Sequence, residues 1–464
     1  MCLLYGTVNN WGSFEPCRRS LHAGKRMERK NRMNLLQKIV ADQKSGVPTG
    51  IYSCCSANEY VLRAALARGK AHHTPVLIEA TANQVNQYGG YTGMKPADFY
   101  AYVKGFAQEA GIPEGMVILG GDHLGPLTWS GLPETEAMEK AKVLVREYVL
   151  AGFEKIHLDT SMRLADDSRE EALSDEVIAR RGAELCAVAE EAYASIAPKG
   201  AKAPCYIIGS EVPIPGGAQE AEEGISVTRP EDCRRTISVF REAFEQRGLS
   251  EAWKRVIGLV VQPGVEFGDA EVFDYNREKA AARTAVLAEY PSIVFEGHST
   301  DYQTRKGLKR MVEDGIAILK VGPALTFGMR EAVLALELIE KALLSGKNIW
   351  LSDFNRILEA TMLEKPENWQ KHYHGTAAEQ QLARTYSFSD RARYYLPEEA
   401  VKASVARLVK NLRAVEIPDT LLSQYLPLQY AKIRDGVLSK DPEALIQDRI
   451  GDYIDDYLYA TGQL

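Results

Sequence analysis

Eight short apolar segments recur from residue 47 onward, and each is followed by a turn and a longer stretch with helical spacing of its apolar residues. The segments are rich in Val and Ile and do not alternate strictly, which is typical of parallel strands covered on both faces. They are VPTGIYSC (47–54), VLIEAT (76–81), MVILGGD (116–122), KIHLDT (155–160), CYIIGSE (205–211), VIGLVVQP (256–263), SIVFEGHS (292–299) and GIAILKVG (315–322). Eight such units in a row predict a (β/α)8 TIM barrel, and a doubly wound sheet is the alternative.

The chain divides into three parts by pattern. Residues 33–345 carry the eight units, and residues 346–464 contain helical stretches without further buried-strand segments, which predicts a C-terminal helical extension. Residues 1–32 show no periodic apolar pattern, and we interpret them as a disordered leader or an over-extended start ahead of Met33. Within the first unit, SANE (56–59) predicts a capping box for a helix that ends at Gly69.

Composition excludes several classes of function. A formal net charge of -7 gives no basic footprint for nucleic acid. The sequence contains no run of about 18 apolar residues, so it predicts no membrane span. The seven cysteines form neither a disulfide framework nor a CxxC metal motif, so we expect a reduced, cytoplasmic protein.

The predicted strands deliver polar side chains to one rim. In a barrel the carboxyl ends of all strands meet at the face where catalysis takes place. Those ends carry Glu79, Asp122, His123, Asp159, Glu211, Gln262, Glu266, His298 and Lys320. Such a set predicts an active site at this rim.

Two histidines at strand ends suggest a metal. His123 lies in GGDHLGP and His298 in EGHST, both beside glycine. Imidazole with carboxylate suits zinc, with manganese or magnesium as alternatives, whereas each histidine alone is also compatible with a structural role. His157, inside the fourth strand, is interpreted as a core residue.

Lys320 offers a rival chemistry, because a strand-end lysine with a depressed pKa forms Schiff bases. Among so many carboxylates we expect its ammonium to be paired instead.

The loops after the seventh and eighth strands resemble anion-binding loops. Ser299 and Thr300 offer hydroxyls, and Gly322 and Ala324 precede a helix. Barrels often hold phosphate at these loops, and ordinary strand-to-helix turn chemistry is the alternative.

Several motifs together resemble one family. GIYSCCSANE, IEATANQVNQYGGYTGM, GGDHLGP, HLDTSM, IGSEVPIPGG, FEGHSTDYQ and SFSDRARYYLP are similar to the GatZ/KbaZ family, the accessory subunits of tagatose-1,6-bisphosphate aldolase. The resemblance covers about residues 33–460. That family is itself similar to the class II, metal-dependent ketose-bisphosphate aldolases.

The resemblance implies roles for individual residues. Asp122 matches the proton-transfer aspartate, His123 a metal ligand and His298 a later ligand. The histidine that supplies the middle ligand of class II aldolases is absent from VVQPGVEFGD, so Gln262 or Glu266 would replace it. Further assignments are Glu211 as a second catalytic carboxylate, and Glu79, Asp159 and Arg391 as substrate contacts.

Two functions follow from the resemblance. The first is metal-dependent 4-epimerisation of D-tagatose 6-phosphate to D-fructose 6-phosphate by retro-aldol and aldol steps. The second is a non-catalytic subunit that a separate class II aldolase subunit needs for activity and stability. The segment TYSFSDRARYYLP (385–397) covers the barrel mouth and contacts phosphate in one interpretation and forms a subunit interface in another. The sequence is also compatible with a homo-oligomer.

Overall fold

The computed structural model describes residues 34–212 and 227–464, so the predicted leader 1–32 lies outside it. The strands are β1 Ile51–Cys54, β2 Val76–Thr81, β3 Val117–Leu124, β4 Lys155–Leu158, β5 Cys205–Ile208, β6 Val256–Val261, β7 Glu266–Phe267, β8 Val272–Phe273, β9 Val294–Gly297 and β10 Ile316–Val321. The helices are α1 Leu35–Lys44, α2 Glu59–His72, α3 Pro96–Ala110, α4 Glu134–Ala151, α5 Asp175–Ile196, α6 Pro230–Gln246, α7 Ser250–Trp253, α8 Arg277–Val286, α9 Arg305–Glu313, α10 Pro323–Leu344, α11 Phe354–Glu364, α12 Ala377–Tyr386, α13 Glu399–Arg413, α14 Asp419–Tyr425, α15 Pro427–Arg434 and α16 Pro442–Ala460.

Eight parallel strands close into a barrel in the order β1-β10-β9-β6-β5-β4-β3-β2. They coincide with the eight predicted segments, so the TIM barrel is confirmed and the doubly wound alternative is wrong. The remaining two strands, β7 and β8, form a short antiparallel pair between the sixth and seventh barrel strands.

The barrel interior is layered. Alternate side chains of each strand point inward. Branched apolar residues such as Ile118, Ile207 and Ile318 fill the layer nearer the amino ends, and Leu36 and Val40 of α1 join the same cluster. The polar residues described below lie further along the same strands.

Helices alone make up the chain beyond α10, as the sequence predicts, and the last one returns to the barrel. Helix α16 packs against α2, α9 and α10. Arg68 of α2 pairs with Asp448 at 2.9 Å and Asp455 at 2.8 Å. The Tyr457 hydroxyl donates to the carbonyl oxygen of Thr300, 2.8 Å away. Helix α16 therefore forms part of the outer wall beside β1.

Helix α2 departs from the prediction at both ends. Its N-cap is Asn58, whose side chain accepts from the amides of Tyr60 and Val61, so the predicted Ser56 capping box is wrong. The helix also continues past Gly69 to His72. A Cβ at Gly69 would lie 2.1 Å from Cγ2 of Val76, so this glycine permits close packing of helix on strand rather than ending the helix.

The described residues contain no disulfide and no membrane-spanning helix. Their five cysteines are free. None of the helices in these two ranges has the length and apolarity that crossing a membrane requires.

Candidate active site

The segment GGDHLGP forms the end of β3 and contains a bulge. Gly121 pairs with Ile156 and Leu124 with Leu158, so Asp122 and His123 together face one residue of β4. A bulge re-aims the side chains that it contains. His123 adopts a left-handed backbone (φ 49°), an uncommon conformation that functional sites often hold. Both Asp122 and His123 consequently line the same cleft.

The neighbouring glycines allow this close approach. A Cβ at Gly120 would lie 2.8 Å from Cγ of Glu79, and one at Gly125 would lie 1.6 Å from the carbonyl oxygen of Asp159. No side chain fits between β3 and the backbone that follows β4. The glycines of this motif therefore hold the strand ends, and their polar groups, together.

Three buried histidines meet at the end of the barrel. The ring centroid of His123 lies 5.1 Å from that of His157 and 5.2 Å from that of His298, and the latter two are 5.4 Å apart. They come from β3, β4 and the end of β9, so the barrel closure brings together residues that are far apart in sequence.

Each histidine is engaged by a different carboxylate. Nδ1 of His123 lies 2.7 Å from Oδ2 of Asp159, and Nδ1 of His157 lies 2.8 Å from Oδ1 of Asp122. Nε2 of His298 lies 3.0 Å from Oε1 of Glu296. In metal sites one imidazole nitrogen typically donates its hydrogen to a carboxylate, and the other nitrogen faces the ion.

The donor set fits a divalent metal. Asp122, His157, Glu296 and His298 offer ligand atoms that all lie within 4.8 Å of one another. Nε2 of His157 is buried and has no hydrogen-bond partner among the described residues. A buried imidazole nitrogen without a partner is costly unless something occupies it. This group of residues could hold a metal ion.

Two lysines balance the acids beneath the histidines. Nζ of Lys155 lies 2.6 Å from Glu79 and 2.8 Å from Glu296, as ion pairs whose angles do not suit hydrogen bonds. Lys320 pairs with Glu79 at 3.0 Å and closely with Asp122. The network keeps buried charges of both signs in contact, which is the condition for burying them at all.

This network determines the protonation of the cleft. Burial alone would raise the pKa of Asp122, but His123 and Lys320 outweigh it and hold that pKa well below its usual value. Burial would lower the pKa of Lys320, and Asp122, Cys55 and Glu79 raise it well above its usual value. Burial lowers the pKa of His298 to about 3, against the opposing effect of Glu296. At neutral pH the cleft therefore contains a carboxylate, an ammonium and a neutral imidazole.

Comparison with known proteins identifies the family. The sequence model described as D-tagatose-1,6-bisphosphate aldolase subunit GatZ/KbaZ-like matches residues 36–462. The chain belongs to the GatZ/KbaZ-like family. A solved structure from Sinorhizobium meliloti 1021, described as a "probable tagatose 6 phosphate kinase", is 44% identical, with 89% of this chain and all of that one covered and a TM-score of 0.81.

Two more distant structures are also similar. The fructuronate-tagaturonate epimerase UxaE from Cohnella laeviribosi shares 14% identity over 88% of this chain and 81% of its own, with a TM-score of 0.45. The YdjI aldolase from Escherichia coli K12 shares 14% identity over 82% of this chain and 98% of its own, with a TM-score of 0.39.

The structure places the predicted ligands of this GatZ/KbaZ-like chain in two groups. His298 belongs to the ligand group, whereas His123 lies beside it, with its Nε2 3.7 Å from Oδ2 of Asp122. Glu266 does not belong to that group. Gln262 lines a separate cavity with Glu211, and Oε1 of Glu266 accepts from the amide of Phe267 at 3.0 Å.

The third imidazole comes from His157 instead. His157 is fully buried in β4, as its interpretation as a core residue implies, but its ring lies beside those of His123 and His298. The signal was present in KIHLD, where Lys155, His157 and Asp159 alternate with apolar residues and so face the barrel interior. Glu296 and His298 show the same two-residue period.

The other predicted residues occupy varied positions. Glu211 is exposed, and its carboxylate accepts from the Thr228 hydroxyl at 2.6 Å, away from Asp122. Glu79 is buried and pairs with Lys155 and Lys320, and Asp159 is buried and contacts His123. Both acids therefore lie behind the residues that line the cleft.

The predicted phosphate loops are only in part open to the cleft. Ser299 and Gly322 line it. The Thr300 hydroxyl donates to the carbonyl oxygen of Lys320 at 2.6 Å, so it is already used. The amide of Gly322 (3.0 Å) and that of Ala324 (2.8 Å) both donate to Oδ1 of Asp301.

The segment 385–397 reaches the barrel mouth. Arg393 and Tyr394 line the cleft opposite Tyr91, and the rings of the two tyrosines are 5.1 Å apart. Arg391, the residue predicted from sequence, is buried behind them and bonds Nδ1 of His372 at 3.1 Å.

Proposed function

We propose that this chain catalyses the metal-dependent 4-epimerisation of D-tagatose 6-phosphate to D-fructose 6-phosphate by retro-aldol cleavage and re-addition. The single observation that carries the proposal is the cluster itself, in which three histidines, each engaged by its own carboxylate, surround the ionised Asp122. The 44%-identical structure supports the substrate class, because its description names tagatose 6-phosphate.

His157, His298 and Glu296 of the ligand group would hold the ion, with His123 beside them and Asp122 left free to act as a base. Imidazole nitrogen favours zinc over manganese or magnesium, which prefer oxygen ligands. When bound, the metal supplies a Lewis acid that draws electron density from the substrate's C2 carbonyl.

Asp122 acts as the general base. It lines the cleft, and its lowered pKa makes it a carboxylate at neutral pH. It accepts the proton of the C4 hydroxyl while the C3–C4 bond breaks, giving a three-carbon enediolate and an aldehyde that keeps the phosphate and the hydrogen on C4. Because Asp122 holds the proton, it can return it to the new C4 oxygen when the bond forms again.

Lys320 assists from below. Its ammonium contacts Asp122 and Glu79, and its raised pKa keeps it protonated, which disfavours the Schiff-base role. A fixed positive charge next to the base stabilises the negative charge that develops on the enediolate.

Epimerisation follows from the geometry of re-addition. The aldehyde turns before the C3–C4 bond forms, so that C3 attacks the opposite face of the carbonyl carbon. C4 is thereby inverted, and no atom is gained or lost.

A second candidate is an accessory subunit of a class II aldolase. The family description names an aldolase subunit, and this supports a catalytic partner chain. In that case the cluster would be structural, and the purified chain would be inactive alone.

The purified chain incubated with D-tagatose 6-phosphate, with and without zinc, tests the proposal. We expect D-fructose 6-phosphate to form, with loss of activity after treatment with a chelator and in Asp122→Asn. Inactivity with every metal, together with stabilisation of a co-expressed aldolase subunit, would instead support the accessory role.

A further inference from the structure

Two arginines lie close together at the barrel mouth. Arg391 and Arg393 belong to the short turn Arg391–Tyr394 that follows α12. The intervening Asp390 pairs with Arg330 at 2.9 Å. Within residues 34–212 and 227–464, no carboxylate lies within ion-pair distance of either Arg391 or Arg393. Asp269, Asp301 and Asp390 act on them from further away.

Neutral groups provide the hydrogen bonds of both guanidinium groups. Arg393 donates from Nη1 to the carbonyl oxygens of Ser389 and Asp390 and from Nη2 to the Tyr394 hydroxyl at 3.1 Å. Arg391 is 5% exposed, and its Nε has no partner among the described residues. Buried charges are normally paired, because desolvation without a counterion is costly.

The two charges also oppose each other. Burial lowers the pKa of Arg391, and the positive charge of Arg393 lowers it further. Burial is outweighed at Arg393 by the neighbouring Tyr394, Tyr91 and Asp390, which raise its pKa above the usual value. Two neighbouring cations, of which Arg391 is buried and repelled by Arg393, would be stabilised by an anion. Phosphate matches the guanidinium geometry, since it accepts two parallel N–H bonds.

The arginine pair lies where a substrate phosphate can reach it. Arg393 lines the same cleft as Asp122 and His298, whereas Arg391 lies behind it. The hydroxyl-bearing rings of Tyr91 and Tyr394 border this part of the cleft. The cleft thus has the candidate metal ligands at its floor and, at its rim, a cation that forms no ion pair with the described residues.

The alternative phosphate position is already filled. Asp301 accepts from the first amides of α10, where a barrel usually holds phosphate. Its carboxylate satisfies those donors and, when ionised, would repel a phosphate dianion placed beside it. The rim cation is therefore the better phosphate partner.

We infer that Arg393, backed by Arg391, binds the phosphate monoester of the substrate, so that the C-terminal extension selects phosphorylated over free ketohexoses. This inference rests on the proposed function for the identity of the sugar. The anion site itself does not depend on turnover.

Isothermal titration of the metal-free full chain with inorganic phosphate tests the anion site. We expect Arg393→Gln to weaken phosphate binding at least about tenfold, as loss of a charge-assisted contact does, with Arg393→Lys in between. Lys410→Gln removes one exposed positive charge from the same extension and should leave phosphate binding unchanged. Circular dichroism confirms that the variants are folded.

A second titration with D-tagatose 6-phosphate and D-tagatose tests selectivity. The parent chain should prefer the phosphorylated sugar, and Arg393→Gln should lose most of that preference. If the parent chain is inactive but Arg393→Gln still abolishes phosphate binding, the anion site is supported and the proposed epimerase activity is rejected. No phosphate binding by the parent, unchanged binding in Arg393→Gln, or a loss confined to Ser299→Ala would overturn the inference.

Discussion

Nδ1 of His123 lies 2.7 Å from Oδ2 of Asp159, and this contact joins the two adjacent strands whose ends carry them. The oxygen of Asp159 not bound to His123 accepts from the amide and hydroxyl of Ser161, at 3.1 Å and 2.6 Å, so the carboxylate is fixed in turn. A histidine held in this way presents its Nε2 to the cluster. The contact therefore ties the orientation of a candidate ligand to one buried carboxylate.

Replacing that carboxylate should weaken the metal site. We expect Asp159→Asn to reduce zinc affinity about ten- to hundredfold, because the amide orients His123 less firmly and makes its ring less basic. Competition with a chromophoric chelator measures the affinity. The exposed Asp435→Asn is the control, and a change of less than about twofold in Asp159→Asn would contradict the arrangement.

A methyl group at Gly125 should separate the strands that carry the cluster. Its Cβ would lie 1.6 Å from the carbonyl oxygen of Asp159, and backbone cannot move aside as a side chain does. We expect Gly125→Ala to lower the free energy of unfolding by about 3 kcal/mol or more. Gly115→Ala, whose Cβ meets no atom within 4 Å, should be nearly neutral in the same urea titration.

Lys155 should be necessary for stability. It lies between Glu79 and Glu296 and is wholly buried. Lys155→Met removes one of the positive charges that pair with the two buried carboxylates. We expect the free energy of unfolding to fall by about 3–5 kcal/mol. The exposed Lys254→Met, which removes a surface pair with Glu251, should cost at most about 1 kcal/mol. Equal effects of the two substitutions would contradict the buried network.

Asp301 should give stability a pH dependence. Burial raises its pKa to about 6, despite the amides of Ala324 and Gly322. An unfolded aspartate titrates near pH 3.9, so the native state keeps a proton that the unfolded state has released. The resulting stabilisation is complete below about pH 4 and is lost as the pH rises through about 6.

The variant Asp301→Asn is uncharged at every pH and should lack this loss. Relative to the parent chain, its free energy of unfolding should rise between pH 4 and pH 7 by about 2 kcal/mol or more. Denaturant titrations at several pH values measure the difference. Parallel pH profiles for the two proteins would show that Asp301 does not titrate in this range.

The sequence could predict the barrel because each strand is a buried Val- and Ile-rich segment between turn residues. It could also predict Asp122, His123 and His298, which lie beside glycines at strand ends. It did not reveal His157, whose position inside a strand resembles that of a core residue. Only the closure of the barrel and the bulge at Asp122 show that this ring meets the others.

The sequence also could not predict which arginine of the irregular turn at the barrel mouth faces the cleft. Arg391 and Arg393 are two residues apart, and no helical or strand period says which of them faces the cleft. The structure buries Arg391 and directs Arg393 inward. In the same way, a helix N-terminus predicts an anion site but not that Asp301 already occupies it.

The most direct test of the central claim is the NMR spectrum of the hexose phosphate formed from D-tagatose 6-phosphate in D₂O. Retro-aldol cleavage between C3 and C4 never breaks the C4–H bond, so D-fructose 6-phosphate should form with protium retained at C4. Its formation should cease on chelation of the metal and in His157→Ala. Deuterium at C4, or no D-fructose 6-phosphate with zinc present, would contradict the account.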